Sequence, residues 1–153
     1  MEGRLLDICL LCSLCQGLDR ATIDAEAALI WLPEMSQAAL IATVRRLHVI
    51  CCQDGAPPTM DRVPRLGTDR LRQAWGVYAA LLRRTALVQK RLGSLSIRDL
   101  AAALEDVTPA ARVRASLLGG LRLLPLGRFF RDGADVYPAA LASLASSCTQ
   151  GPV

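Results

Sequence analysis

Three cysteines within seven residues are the part of the sequence with the clearest potential for chemistry. Cys9, Cys12 and Cys15 recur every third residue in the stretch CLLCSLC. Iron–sulfur clusters use C-x2-C-x2-C runs, but on a loop with a fourth ligand close behind. Zinc sites need two cysteine pairs, or a pair with histidines. His48 is the single histidine, and no spacing rule ties the later cysteines to the first three. We therefore expect no metal and no other cofactor.

The same cysteines fit an apolar helix. Residues 5–15 contain no proline or glycine, and Gly17 follows as a helix terminator. Free cysteine behaves as a small buried hydrophobe. The pattern predicts a core helix in which the sulfurs serve packing. Because the segment is apolar nearly all round, it also predicts a surface that a partner protein covers.

Catalytic constellations are not evident. His48 lies beside Arg45 and Arg46, no carboxylate shares a motif with it, and we interpret it as a helix end facing water or a phosphate. The sequence has no P-loop, G-x-G-x-x-G, H-E-x-x-H or G-x-S-x-G motif. These observations predict a protein that is not an enzyme and has no small-molecule substrate.

Composition suits a helical, soluble protein. The 153 residues are 52% hydrophobic and 21% charged but only 4% aromatic, so the core must consist mainly of aliphatic side chains. No apolar run approaches the roughly 20 residues of a membrane-spanning helix. The N-terminal residues lack the pattern of a signal peptide. We expect an intracellular location, cytoplasm or nucleus, where the six cysteines stay reduced.

The first half of the chain predicts two helices and a hairpin. Thr22 can cap a helix over residues 23–32, which Pro33 ends. Ser36 can cap a second helix over residues 37–48. The stretch HVICCQDG then predicts a strand running into an Asp54-Gly55 turn, with APPTMDRV as a weak returning edge strand.

The second half repeats this plan after a long helix over residues 68–92, which ends at Gly93. Ser96 can cap a helix over residues 97–104, and Thr108-Pro109 can start another that runs to residue 124. GRFFRDGADVY predicts a strand, a tight Asp132-Gly133 turn and a second strand, and PAALASLASS a final short helix.

The order helix, turn, helix, β-wing resembles the winged-helix superfamily, over about 45 residues of each half. The stretches that carry the resemblance are MSQAALIATVRRLHVICCQDG and SIRDLAAAL followed by LGRFFRDGADVY. Pro57-Pro58 in the first wing and Gly119-Gly120 in a helix depart from the pattern. The resemblance implies a mainly α fold with small β-wings. It consists of two tandem winged-helix-like domains, residues 1–66 and 94–153, joined by a long helix over residues 67–93.

Winged-helix proteins that bind duplex DNA insert the second helix into the major groove and touch phosphates with the wing. The second half meets this requirement better than the first. The resemblance therefore implies a DNA-binding set on that helix and wing: Arg112, Arg114, Ser116, Arg122, Arg128 and Arg131.

Tandem winged helices also act as assembly modules. The expected function is a non-catalytic scaffold subunit of a nucleic-acid-processing or regulatory complex, which docks on other protein subunits through apolar helix faces. The expected interface residues are Leu6, Leu10, Leu14 and Trp31. Two alternatives remain open: a stand-alone DNA-binding transcriptional regulator, and an all-helical adaptor in which HVICC and GRFF merely extend helices.

Overall fold

The structure is a computed structural model in which residues 9–56, 67–105 and 119–149 are described. It is mainly helical, with two small antiparallel sheets of two strands each. In chain order the elements are α1 (Leu10–Leu14), α2 (Ile23–Glu26), β1 (Ala27–Trp31), α3 (Gln37–Gln53), α4 (Asp69–Leu82), α5 (Thr85–Leu92), α6 (Ile97–Glu105), β2 (Leu121–Pro125), β3 (Phe130–Arg131), β4 (Ala134–Asp135) and α7 (Tyr137–Thr149).

Three of the predicted helix starts are confirmed by capping bonds; α2 also begins at Ile23 as predicted, but Thr22 makes no side-chain capping bond, and Thr108-Pro109 lies outside the described residues. The hydroxyl of Ser36 accepts the Ala39 N–H at 3.1 Å, and that of Thr68 accepts the Leu71 N–H at 3.1 Å. Ser96 Oγ accepts the Asp99 N–H at 3.2 Å at the start of α6. Each bond satisfies a backbone donor that has no partner within its own helix.

The predicted first wing is wrong, because α3 does not stop at His48. It continues to Gln53, with Leu40, Val44, Leu47 and Cys51 buried along one side. This apolar stripe at helical spacing continues through HVICC, and breaking the helix there would expose it. Residues 57–63 of the predicted returning strand lie outside the described residues.

The helix predicted over residues 23–32 is wrong over residues 27–31. These residues form β1, which pairs with β2 in the register Ala27 with Pro125 and Trp31 with Leu121. The helix predicted to run to residue 124 is therefore also wrong over residues 121–124, and residues 106–118 lie outside the described part. Both segments are mainly apolar, apart from Arg122, and each has buried residues on both faces; short segments of this kind do not differ in periodicity from a buried helix.

The predicted long helix is two helices. α4 ends at Leu82 and α5 begins at Thr85, and the junction docks on β1. Arg84 Nη1 donates to the Trp31 carbonyl at 3.1 Å, and the Trp31 N–H donates to the Arg84 carbonyl at 3.4 Å. The helix ends where predicted, at Gly93 with φ of 73°.

The second hairpin is confirmed. β3 pairs with β4 across Asp132 and Gly133, whose φ angles are 51° and 80°. Positive φ at both central residues is typical of a type I′ turn. The final helix is confirmed as α7, which packs against α3.

The two predicted domains share structure. β1 from one pairs with β2 from the other, and one core cluster contains Leu11, Ile41, Phe129 and Leu141. The tandem winged-helix arrangement is thus not confirmed, and the domain boundaries stay a prediction. The all-helical alternative is right that HVICC extends a helix and wrong about GRFF, where β3 forms.

Candidate functional site

Half of the predicted DNA-binding residues lie within the described structure, and there Arg122 lies on a strand instead of the predicted helix. Arg112, Arg114 and Ser116 lie outside the described residues. Arg122 lies on β2, and its guanidinium donates to the carbonyls of Met35 at 2.5 Å and Gly119 at 2.8 Å. Through these bonds Arg122 joins β2 to the neighbouring backbone. Its guanidinium is therefore poorly placed to contact bases.

The two arginines predicted on the wing differ in exposure. Arg128 is half-buried, whereas Arg131 is exposed on β3 with its guanidinium 6.0 Å from the centre of the Phe129 ring. Among the described members of the predicted set, Arg131 is the most accessible.

The predicted partner interface is largely used within the chain. Leu14 is fully buried, and Leu6 lies outside the described residues. Trp31 is half-buried between Gly120, where any Cβ would lie 2.5 Å from its ring, and the Arg91 guanidinium, 4.0 Å from the ring centre. Leu10 is half-buried and borders a cavity.

That cavity, which we call the α1–α3–α7 groove, is the clearest candidate site. Its volume is about 270 Å³, enough for one or two apolar side chains. The groove is mainly apolar, and its lining residues come from α1 with the preceding Cys9, from α3 and from α7: Cys9, Leu10, Leu11, Arg45, Tyr137, Ala140, Leu141 and Leu144. Leu144 stands 36% exposed at its edge, an apolar side chain without full cover.

The edge of the groove is positively charged. A second cavity of about 500 Å³ shares Arg45 and Leu144 with the groove and adds Arg46 and Arg70. No Asp or Glu lines either cavity in the described residues, and neither Arg45 nor Arg46 makes an ion pair there. The site therefore combines an apolar cavity with unpaired guanidinium groups.

Tyr137, which lines the groove, contacts a buried histidine behind it. The Tyr137 hydroxyl and His48 Nδ1 are 2.7 Å apart, and His48 Nε2 has no partner among the described residues. Burial lowers the pKa of His48 to about 4 and raises the pKa of Tyr137 above its usual value. The interpretation of His48 as a group facing water or phosphate is wrong: its exposed fraction is 0%.

A buried ion pair holds the hairpin in place, and the sequence interpretation missed it. Glu26 is fully buried and accepts two bonds from Arg20, at 2.7 and 3.0 Å, and one from the Phe130 N–H at 2.6 Å. Arg20 also donates to the Phe130 carbonyl at 2.8 Å. Burial opposes ionisation of Glu26, but these bonds outweigh it and keep the pKa of Glu26 below its usual value. A lone carboxylate inside the apolar stretch AEAALIW was the available signal.

The cysteines have different environments. Cys51 is buried, and Cys9 and Cys15 pack half-buried against the core, as a packing role predicts. Cys12 is exposed, so a packing role is wrong for this residue. Its Sγ lies 3.0 Å from that of Cys9. Within the described ranges no group of three or more His, Cys, Asp or Glu side chains is placed to hold a metal ion.

Comparison with known proteins finds no family model and no curated protein that matches the chain. None of the helices described has the length and apolar character that crossing a membrane requires.

Proposed function

We propose that the chain is a non-catalytic interaction subunit whose α1–α3–α7 groove binds an acidic, amphipathic segment of a partner protein. The observation that carries the proposal is the combination of a mainly apolar groove with Arg45 and Arg46, which have no acidic partner in the described residues. An apolar side chain of the partner would fill the cavity beside Leu144, and its carboxylates would meet the two guanidinium groups.

The proposed role needs no catalytic group, and the arrangement of polar side chains agrees with that. His48 would be the first choice for proton transfer, but it is fully buried and its Nδ1 is held by Tyr137. Among the described residues, no carboxylate lines the groove beside the Tyr137 and Cys9 side chains.

Fluorescence anisotropy with two synthetic helical peptides tests the proposal. One peptide has leucines on one face and glutamates on the other, and its matched control has lysines in place of the glutamates. We expect the acidic peptide to bind, and added salt to weaken its binding because the contact is partly ionic. Equal binding of the two peptides would contradict the proposal.

Variants locate the binding surface. Leu144→Asp, which places a charge at the groove, should weaken binding at least about tenfold, and the double variant Arg45→Glu with Arg46→Glu by a similar factor. The matched controls are Leu104→Asp and Arg98→Glu on α6, where a comparably exposed leucine and an exposed arginine lie away from the groove. A loss as large in the controls would show non-specific binding.

Membership of a nucleic-acid-processing complex, and the alternative of a DNA-binding regulator, rest on the winged-helix resemblance and on the confirmed hairpin with exposed Arg131. Binding to duplex DNA as a function of salt tests this alternative. If the hairpin contacts phosphate, Arg131→Ala should reduce the salt slope by about one unit. If the interaction subunit is the correct function, the wild-type protein should bind no tighter than about 10⁻⁴ M at physiological salt.

A further inference from the structure

Cys9 and Cys12 are the only two thiols that the described residues bring into direct contact. Their Sγ atoms are 3.0 Å apart and share a hydrogen bond. Cys9 is in extended conformation immediately before α1, and Cys12 lies in the first turn of that helix. A modest rotation of the two side chains would bring the sulfur atoms to bonding distance, about 2.05 Å.

Access and local bonding differ between the two thiols. Cys12 is exposed, while Cys9 is half-buried and lines the groove. The Cys12 N–H donates to Cys9 Sγ at 3.3 Å. The hydrogen bond with Cys9, together with burial, raises the pKa of Cys12 to about 11. Cys12 therefore stays protonated near neutral pH.

We infer that Cys9 and Cys12 form a reversible thiol–disulfide site that reacts with small disulfides such as glutathione disulfide. The Cys9 thiolate attacks one sulfur of glutathione disulfide, a mixed disulfide forms at Cys9, and one glutathione thiolate leaves. Cys12 then loses its proton to solvent, and its sulfur attacks Cys9 Sγ. This second step forms the Cys9–Cys12 bond and releases the second glutathione thiolate. Two protein thiols are oxidised, and one disulfide is reduced to two thiols.

Cys15 provides an internal control for this site. It lies the same number of residues beyond Cys12 as Cys12 lies beyond Cys9, but its Sγ contacts the Leu11 carbonyl at 3.8 Å. Burial raises the pKa of Cys15. Spacing alone would make the Cys12–Cys15 pair as reactive as the Cys9–Cys12 pair, whereas the geometry selects the latter. The inference does not depend on what the groove binds.

The experiment equilibrates the full-length protein with glutathione buffers of graded ratio. The reaction is stopped with acid, free thiols are alkylated in denaturant, and tandem mass spectrometry locates the bond. We expect a Cys9–Cys12 disulfide in the wild type and in Cys15→Ser. The equilibrium constant should be at least about tenfold larger in the folded protein than in urea, because folding places the two sulfurs together beforehand.

Two variants separate the steps. Cys12→Ser should accumulate glutathione on Cys9, because the second attack cannot occur, and Cys9→Ser should take up glutathione at Cys12 more slowly. Circular dichroism checks that both variants fold. An equal equilibrium constant in urea, or a bond placed between Cys12 and Cys15, would overturn the inference.

Discussion

The chain contains two Asp-Gly turns with nearly identical sequence signals and different structures. Asp132-Gly133 forms the tip of a two-residue hairpin, with positive φ at both residues. Asp54-Gly55 ends α3: the Ala56 N–H bonds the Cys51 carbonyl at 2.8 Å, and the Gly55 N–H bonds the Cys52 carbonyl at 3.2 Å. This pair of bonds is a Schellman motif. A glycine with positive φ serves both structures, so the dipeptide does not decide between them.

The residues that precede the dipeptide decide which of the two structures forms. Before Asp54, buried residues continue at intervals of three and four through Cys51, and Ala56 packs beside Cys51, Leu71 and Trp75. Before Asp132 there is no helical stripe, and Phe130 has both backbone groups bonded to the Arg20–Glu26 pair. The hairpin is thus held by a buried ion pair, and the helix end by an apolar contact.

Removing the Arg20–Glu26 ion pair should have the largest effect on stability, and it should affect the Asp132-Gly133 hairpin but not the Asp54-Gly55 helix end. Glu26→Ala removes the acceptor of the Phe130 N–H and leaves Arg20, which is 27% exposed, with only the Phe130 carbonyl among its described acceptors. It should lower the free energy of unfolding by about 3 kcal/mol. Urea denaturation measures the change. Hydrogen exchange should show lost protection at Phe130 but not at Ala56. Glu34→Ala, which removes an exposed ion pair with Arg84, is the control and should have a much smaller effect. Equal loss of protection at both turns would contradict this account of the hairpin.

The dependence of stability on pH tests whether α3 continues past His48 and buries it. The pKa of His48 is about 4 in the folded protein, below its value of 6.5 in an unfolded chain. The unfolded state therefore binds the proton first, and stability is lost as pH falls from 6.5 through 4, by about 3 kcal/mol in total. The contribution of Glu26, whose pKa is also lowered, is lost below its unfolded value of 4.5.

His48→Phe provides the control, since it keeps an aromatic ring between Tyr78 and Tyr137 and removes the titrating group. Urea denaturation at a series of pH values should show a flatter profile between pH 6.5 and pH 4.5 for this variant. An unchanged profile would mean that His48 is not buried. That result would fit the predicted strand, which begins at residue 48, better than a helix that continues to Gln53.

Glycine substitutions should give the smallest effects, and similar ones at the two turns. Gly55→Val and Gly133→Val each place a β-branched residue at positive φ, at a cost of about 1–2 kcal/mol, although neither site has an atom within 4 Å of the new Cβ. Asparagine at either position should recover most of the loss. Ala134→Val, on exposed β4, should change stability by less than about 0.5 kcal/mol. Similar losses in Ala134→Val and Gly133→Val would contradict the type I′ turn.

Local signals in the sequence were sufficient for features that depend on neighbouring residues. The caps at Ser36, Thr68 and Ser96 and the terminator Gly93 each depend on residues within the same helix end. The Asp132-Gly133 turn also has a local signal, but the Arg20–Glu26 pair that holds the hairpin is distant in sequence. Strands β1 and β2 could not be predicted in this way. Their apolar runs fit a buried helix equally well, and only the pairing of the two runs distinguishes the structures.

The candidate site was predictable only in fragments. Leu10 was identified as an interface residue, and it does line the groove. Arg45, Tyr137 and Leu144 join it from α3 and α7, whose packing against each other no local pattern encodes. The contact between Cys9 and Cys12 depends on the extended conformation of Cys9, which a continuous helix through residue 9 would not produce.

The pairing of β1 with β2 has a consequence for synthesis on the ribosome. Ala27–Trp31 leaves the ribosome long before Leu121–Pro125, its partner in the sheet. Until then the backbone groups of an apolar segment remain unpaired, and such segments can associate with other chains. The helices α3, α4 and α5 can form earlier because the hydrogen bonds within each helix join residues four apart. The nascent chain therefore has a window in which a chaperone that binds apolar segments would find AALIW as its target.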